Sequence, residues 1–186
     1  MKFQIHGILT ITEVLEDIRN PLTVSQRIEA IARGDACEVA RKNMVINNGL
    51  DVIRALIGGF QGSPTVGGSP YSSSDYADMC VHKMKLASYV GTPPAPAATD
   101  TALSGVEEWE GTVDAVTLTV SYTATAGAPS VIFSTIIPQA ELIGVTLKEE
   151  GLFTNDDTLF ARTTFSKEKL GTFALQFDHE LTVARA

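Results

Sequence analysis

The chain has few of the residue clusters that mark a chemical or nucleic-acid-binding site. Its 186 residues include two cysteines, three histidines and one tryptophan, and Arg41-Lys42 is the only adjacent Lys/Arg pair. Binding to a phosphate backbone needs clustered cations, whereas the net charge here is −8, so no nucleic-acid partner is expected. Cys37 and Cys80 lie far apart in the sequence, which favours two reduced thiols over a disulfide.

Long apolar runs are also missing. The longest ones, such as Val131-Ile132-Phe133, are far shorter than the roughly 20 residues that a membrane-spanning helix needs. Polar residues such as Gln4 and His6 interrupt the start of the chain, so it does not read as a secretory signal. Hydrophobic residues make up 44% and charged residues 19%, which is globular rather than disordered. We therefore expect a soluble protein, made in the cytoplasm, with one main core.

Alternation of apolar and polar residues is the main structural signal. It predicts strands around residues 81–90, 116–123, 143–147 and 172–183, and the last of these alternates most clearly. One face on a core and one face on water is typical of antiparallel sheets. Seven or so such strands, joined by Gly/Pro/Asp turns, predict a mainly β protein. We expect an antiparallel β-sandwich or jelly roll with one or two short helices.

The two helices are predicted in the first third of the chain. Thr23 and Gln26 have the spacing of a capping box, and Val24, Ile28 and Ile31 recur at helical intervals, which predicts an amphipathic helix from Thr23 to Arg33. A second helix is predicted from Leu50 to Ile57, capped by Asn47 or Asn48 and ended by Gly58-Gly59; its expected buried stripe is Leu50, Ile53, Leu56 and Ile57. The segment Gln61 to Asp78 is predicted as a long loop.

The first segment, Phe3 to Leu15, alternates like a half-buried strand or a hairpin broken near Gly7. It is separated from the later strands by Pro21 and by the first predicted helix. An isolated strand is marginal in water, so this segment is expected to pair with another sheet or subunit. We accordingly predict an N-terminal strand arm with a docking role in residues 1–38 and a β-sandwich domain in residues 39–186.

The histidines and thiols lack the neighbours that catalysis or metal binding requires. His6, His82 and His179 have no Cys, His or carboxylate partner at a spacing typical of zinc ligands. His179 falls in the apolar register of the last strand, which favours a hydrogen-bonded structural role. Cys80 and His82 are two residues apart, but nothing near them in the sequence would orient the imidazole.

The acidic residues also favour structural roles. Asn155-Asp156-Asp157 lacks the oxygen series, glycine and distal glutamate of a calcium loop, so a hairpin turn is the preferred interpretation. Glu149 and Glu150 are neighbours on a predicted strand and should point to opposite faces, unlike a convergent acid–base pair. We therefore predict no catalytic, cofactor-binding or metal-binding residues, no cofactor, and a chain that is not an enzyme.

Three segments, in this order, resemble a pattern found in virion structural proteins of tailed bacteriophages. The first runs from Asn43 to Gly59 (NMVINNGLDVIRALIGG), the second from Met84 to Leu103, with Gly91-Thr92-Pro93 and Asp100-Thr101-Ala102-Leu103. The third combines Lys148-Glu149-Glu150-Gly151-Leu152-Phe153 with Thr158-Leu159-Phe160-Ala161-Arg162-Thr163-Thr164-Phe165. The third is the most specific, and the resemblance covers roughly residues 41–182.

The resembling proteins include tail-collar fibre, baseplate, neck and head-decoration proteins. The resemblance implies a structural role in the particle, contacts with other virion proteins, and a homotrimer or ring. No membrane partner is expected, because the apolar runs are too short to span a bilayer. A host-attachment carbohydrate-binding module is the alternative, and it would require exposed aromatic residues. The chain departs from the pattern at residues 23–33 and 61–78, which look like insertions, and at Asp157, where the pattern has a glycine.

Overall fold

A computed structural model describes residues 3–15, 18–45, 47, 49–50, 52–53, 65–66, 69–70, 76–123 and 130–185. The elements in chain order are β1 (Phe3–Val14), α1 (Val24–Arg33), β2 (Ala36–Val45), β3 (Thr65–Val66), β4 (Ser69–Pro70), α2 (Tyr76–Met79), β5 (Val81–Ser88), β6 (Val106–Thr112), β7 (Leu118–Thr123), β8 (Ser130–Ile137), β9 (Thr146–Thr154), β10 (Leu159–Glu168) and β11 (Ala174–Arg185).

Two five-stranded antiparallel sheets form a β-sandwich, as the alternation predicted. The first sheet has the order β7-β8-β11-β1-β2, and the second has the order β6-β5-β9-β10-β2. Strand β2 belongs to both: its first eight residues pair with β1, and its last two, Met44 and Val45, pair with β10. One strand thus joins the sheets along one side of the sandwich.

The core lies between the two sheets and is built from alternate residues of their strands. Its buried apolar residues include Leu9 and Ile11 from β1, Met84 and Leu86 from β5, and Phe177 from β11. Burying this much apolar surface is the main favourable term in folding. Both outer faces are also covered in part, one by α1 and the other by the connection between β5 and β6.

Residues 3–14 are not a separate arm. Strand β1 lies inside the first sheet, hydrogen-bonded to β11 over twelve residue pairs and to β2 on its other side. The expected boundary between residues 38 and 39 falls within β2. The prediction of an arm was wrong because alternation reports one buried face and carries no information about which strands flank it. The outer face of β1 is also buried at Thr12 and Val14, so the strand is more than half buried.

Helix α1 has the predicted capping box, with Thr23 and Gln26 bonded reciprocally, and Gly34 ends it in the left-handed conformation. An amphipathic helix ordinarily packs its apolar side on the core. Here Arg27 and Ala30 are the buried residues, whereas Val24 is 46%, Ile28 63% and Ile31 40% exposed. The apolar stripe of this helix therefore faces outward.

The second predicted helix lies largely outside the described residues. Residues 47, 49, 50, 52 and 53 are helical, but Val52 is the fully buried one, while Leu50 is exposed and Ile53 half-buried. The expected stripe was therefore wrong at Leu50, and Leu56 and Ile57 lie outside the described part. In the predicted loop 61–78, β3 pairs with β4 and α2 begins at Tyr76. None of the helices in the described ranges is long and apolar enough to cross a membrane.

Candidate functional site

A group of polar contacts centred on Arg162 lies on the outer face of the second sheet. The connection from residue 89 to residue 105, here called the strap, crosses this face. Arg162 of β10 reaches the strap and donates to Asp100 Oδ2 at 2.5 Å, to the Pro94 carbonyl oxygen at 3.2 Å and to Ser104 Oγ at 3.0 Å. It also donates to Glu149 of β9. Arg162 is buried, and we call this set of contacts the Arg162 clamp.

Glu149 of β9 is the buried carboxylate of the clamp. This fully buried carboxylate accepts the backbone N–H groups of Ser104 at 2.9 Å and of Gly105 at 2.6 Å, besides the guanidinium. Burial alone would lower the pKa of Arg162, but its hydrogen bonds to Glu149 and Asp100 hold that pKa above its ordinary value. Burial alone would raise the pKa of Asp100, yet the Ala97 N–H and Arg162 lower it. Arg162 and Asp100 therefore both remain charged at neutral pH.

Two glycines let the strap lie close to the sheet. A Cβ at Gly105 would stand 1.9 Å from the Ser88 carbonyl oxygen, a distance no side chain can occupy. A Cβ at Gly151 would stand 3.0 Å or less from side-chain atoms of Leu103, Leu159 and Phe153. Leu103 of the strap fills that space against the two buried residues. The strap is thus held by charge at Arg162 and by packing at Leu103.

Described residues of all three segments that carry the phage resemblance meet at the strap. Asp100 and Leu103 of the second segment contact Arg162 and the Phe153–Leu159 pair of the third. From the first segment, the Asn47 N–H donates to the Ala98 carbonyl oxygen at 2.9 Å. Residues far apart in the sequence therefore form one contiguous unit, which sequence order alone did not reveal.

A second polar pair lies inside the sandwich. His179 Nδ1 of β11 is 2.8 Å from Glu150 Oε1 of β9, and neither residue is exposed. The expected hydrogen bond of His179 is confirmed, and the residue is fully rather than partly buried; its carboxylate partner was not foreseen. Glu149 and Glu150 do point to opposite faces of β9. A substrate would have to open the sandwich to reach this pair, so it is a poor acid–base site.

Two further candidate residues lie at or next to the start of β5. His82 Nε2 lies 3.1 Å from Asp114 Oδ2, and Cys80 precedes β5. The side chain of His6 lies outside the described residues, although its backbone belongs to β1. No group of three His, Cys, Asp or Glu side chains that could hold a metal ion occurs in the described part of the chain.

Residues 155–157 form the predicted turn between β9 and β10. Asp157 adopts a positive φ of 65°, the conformation in which glycine is favoured, at the position where the resemblance has a glycine. Its carboxylate lies 3.0 Å from both Lys83 Nζ and Lys85 Nζ. Burial alone would raise the pKa of Asp157, but these two lysines lower it. An aspartate at this turn thus forms ion pairs that a glycine could not form.

Contacts beneath α1 explain why its apolar stripe faces outward. Arg27 Nη1 donates to the buried Asp178 Oδ2 of β11 at 2.6 Å. Burial raises the pKa of Asp178, against the opposing effect of Arg27. Just before the helix, the backbone of Leu22 makes two hydrogen bonds with the Gln176 side chain, at 2.7 and 2.9 Å. These polar contacts set the rotation of the helix, and its apolar side is left exposed.

In comparisons with known proteins, no family model, no curated protein and no solved structure matches this chain. The fold and the contacts described above are therefore the basis for a functional conclusion.

Proposed function

We propose that this chain is a structural component of a tailed-bacteriophage particle. In this role it docks on a capsid, neck, tail or baseplate surface through protein–protein contacts. The observation that carries the proposal is the strap held by the Arg162 clamp, because described residues of the three segments resembling virion proteins meet there. Asp100, Gly151 and Arg162 all belong to the resembling segments, and they hold the strap against the second sheet.

The use of the acidic and basic side chains supports a role without catalysis. Glu149 and Glu150 are fully buried and bonded to Arg162 and His179 within the described structure. A general acid or base must come within hydrogen-bond reach of a substrate, which these groups are not placed to do. Apolar side chains such as Ile28 are instead exposed, as a protein-binding surface requires.

The alternative, a carbohydrate-binding module for host attachment, has less support. Sugar recognition would use exposed aromatic rings, but the Trp109 indole N–H donates to Thr135 Oγ1 at 3.3 Å and the side chain is half-buried. Among the aromatic side chains that the structure describes, Tyr122 is the exposed one, at 80%. A single ring on an edge strand is a small platform.

Within this proposal the chain is made in the host cytoplasm and incorporated into the virion. Its partners are other virion proteins and further copies of itself, and neither nucleic acid nor a membrane is among them. Many weak contacts, repeated by symmetry, suffice for stable assembly.

Fractionation of purified particles tests the proposal. Particles from a producing culture are banded in a density gradient, and the chain is quantified by mass spectrometry beside the major capsid protein. We expect it to follow the particle peak at a constant ratio after a high-salt wash. Its absence from the particles would refute the proposal. Binding to a glycan array would favour the alternative, and hydrolysis lost in a folded His179→Ala variant would indicate an enzyme.

A further inference from the structure

Within the described part of the chain, strand β2 has a free edge along most of its length. Residues 36–43 pair with β1 on one side, whereas β10 reaches only Met44 and Val45. In the described part of the chain no strand pairs with the other side of residues 36–43. The side chains from Cys37 to Lys42 are all exposed. An exposed edge of this kind is a template for pairing with another strand.

The alternation of hydrogen bonds along β2 shows which of its backbone N–H and C=O groups are available to a further strand. The Leu15 N–H donates to the Asp35 carbonyl oxygen at 2.9 Å, and the same register continues along β1 and β2. Bonded pairs alternate in an antiparallel ladder, so the odd-numbered residues of β2 bond to β1. Glu38, Ala40 and Lys42 therefore direct their N–H and C=O groups outward. Arg41 Nη1, 3.2 Å from the Ala40 carbonyl oxygen, partly satisfies this edge.

We propose that a second copy of this chain pairs with the free edge, β2 against β2, around a two-fold axis at Ala40. A two-fold axis between antiparallel strands runs perpendicular to the sheet and pairs even-numbered residues with even-numbered ones. All the outward backbone groups from residue 38 to residue 42 then find partners. The first sheet of one copy then joins the first sheet of the other in one continuous ten-stranded sheet.

Charge selects this register. Centring on Ala40 places Glu38 opposite Lys42 of the second copy, and the symmetry repeats that pair. Centring on Glu38 or on Arg41 would oppose like charges, and centring on Val39 would pair Glu38 with an alanine. Charged residues on an edge usually discourage pairing with other strands. Here the same charges disfavour pairing with most other strands, whereas Glu38 and Lys42 attract the opposite charges of a second copy.

Charge reversal tests the pairing in solution. Sedimentation equilibrium of the full chain should give twice the 19.9 kDa mass of one chain. The E38K and K42E variants should each raise the dimer dissociation constant by about tenfold or more, since like charges then face each other. Arg19→Glu, an exposed change of equal charge to K42E, is the matched control and should dimerise like the wild type.

Mixing the two variants separates pairing from simple loss of stability. At positions 38 and 42, which face each other across the proposed axis, an E38K chain carries two positive charges and a K42E chain two negative ones. The mixture should therefore form a heterodimer more tightly than either variant forms a homodimer. A monomeric wild type at about 100 µM, or no association in the mixture, would overturn the proposal. A trimer, or a ring with an odd number of chains, would also overturn it, because neither can satisfy a two-fold pairing throughout.

Cysteine cross-linking fixes the register. In a Cys37→Ser background, Ala40→Cys should form an intermolecular disulfide under mild oxidation, since bonded opposite residues have Cα atoms about 5.5 Å apart. Val39→Cys is the control and should cross-link far less; the reverse result would contradict the Ala40 axis. This proposal does not rest on a role in a virion. Particle fractionation can fail while dimerisation succeeds, and the opposite outcome is equally distinguishable.

Discussion

Replacing Arg162 by methionine tests whether the clamp holds the strap to the second sheet. The change leaves the fully buried Glu149 without its cation, although the Ser104 and Gly105 N–H groups still bond to it. Removing one partner of a buried ion pair typically costs about 3–5 kcal/mol. We therefore expect the free energy of unfolding to fall by about that amount, and the melting temperature by roughly 10 °C.

Two further variants make the interpretation specific. Arg33→Met removes an arginine whose ion pair with Asp35 is largely exposed, and it should cost less than about 1 kcal/mol. Adding Glu149→Gln to Arg162→Met removes the unpaired charge but keeps an oxygen that can accept the Ser104 and Gly105 N–H groups. This double variant should recover at least about 1 kcal/mol of the loss.

Urea unfolding gives these free energies, and amide hydrogen exchange reports on the strap directly. In Arg162→Met, amides of residues 97–105 should exchange faster than those of β11, because the strap loses its anchor before the sandwich unfolds. The reasoning fails if Arg162→Met stays within about 1 kcal/mol of the wild type, or if the double variant is no more stable than the single one.

Three other substitutions follow from the contacts described. His179→Ala should cost about 3–5 kcal/mol, since Glu150 would be left buried and unpaired, against less than about 1 kcal/mol for His82→Ala; a smaller effect of His179→Ala in urea unfolding would argue against a structural pair. The pKa of Asp157 is lowered in the folded state, so its stabilisation is present above its ordinary value of 3.8 and disappears as the pH falls through the lowered pKa. Unfolding of the wild type and Asp157→Asn should therefore differ at pH 7 and converge near pH 2; a constant difference would contradict the ion pairs. Gly105→Ala should destabilise by about 2 kcal/mol or more, because its Cβ would meet a β5 carbonyl oxygen, and an unchanged melting temperature would show that the strap shifts freely.

Local features of this chain could be predicted from its sequence. The capping box of Thr23 and Gln26, the glycine end of α1 and the alternation of β11 each depend on residues within a few positions of one another. So does the opposite orientation of Glu149 and Glu150, which follows from the period of a strand. These features are local because backbone geometry relates near neighbours in the same way in any fold.

The tertiary structure decided which elements became neighbours. Alternation marks a strand, but β1 became a central strand only because β11 and β2 flank it. The rotation of α1 depended on Asp178, about 150 positions away, which draws Arg27 inward. The Arg162 clamp likewise joins residues up to 68 positions apart. A buried charge needs an opposite charge or hydrogen-bond partners close to it, and these come from whichever residues the fold brings together. The spacing of two residues in the sequence does not predict such a contact.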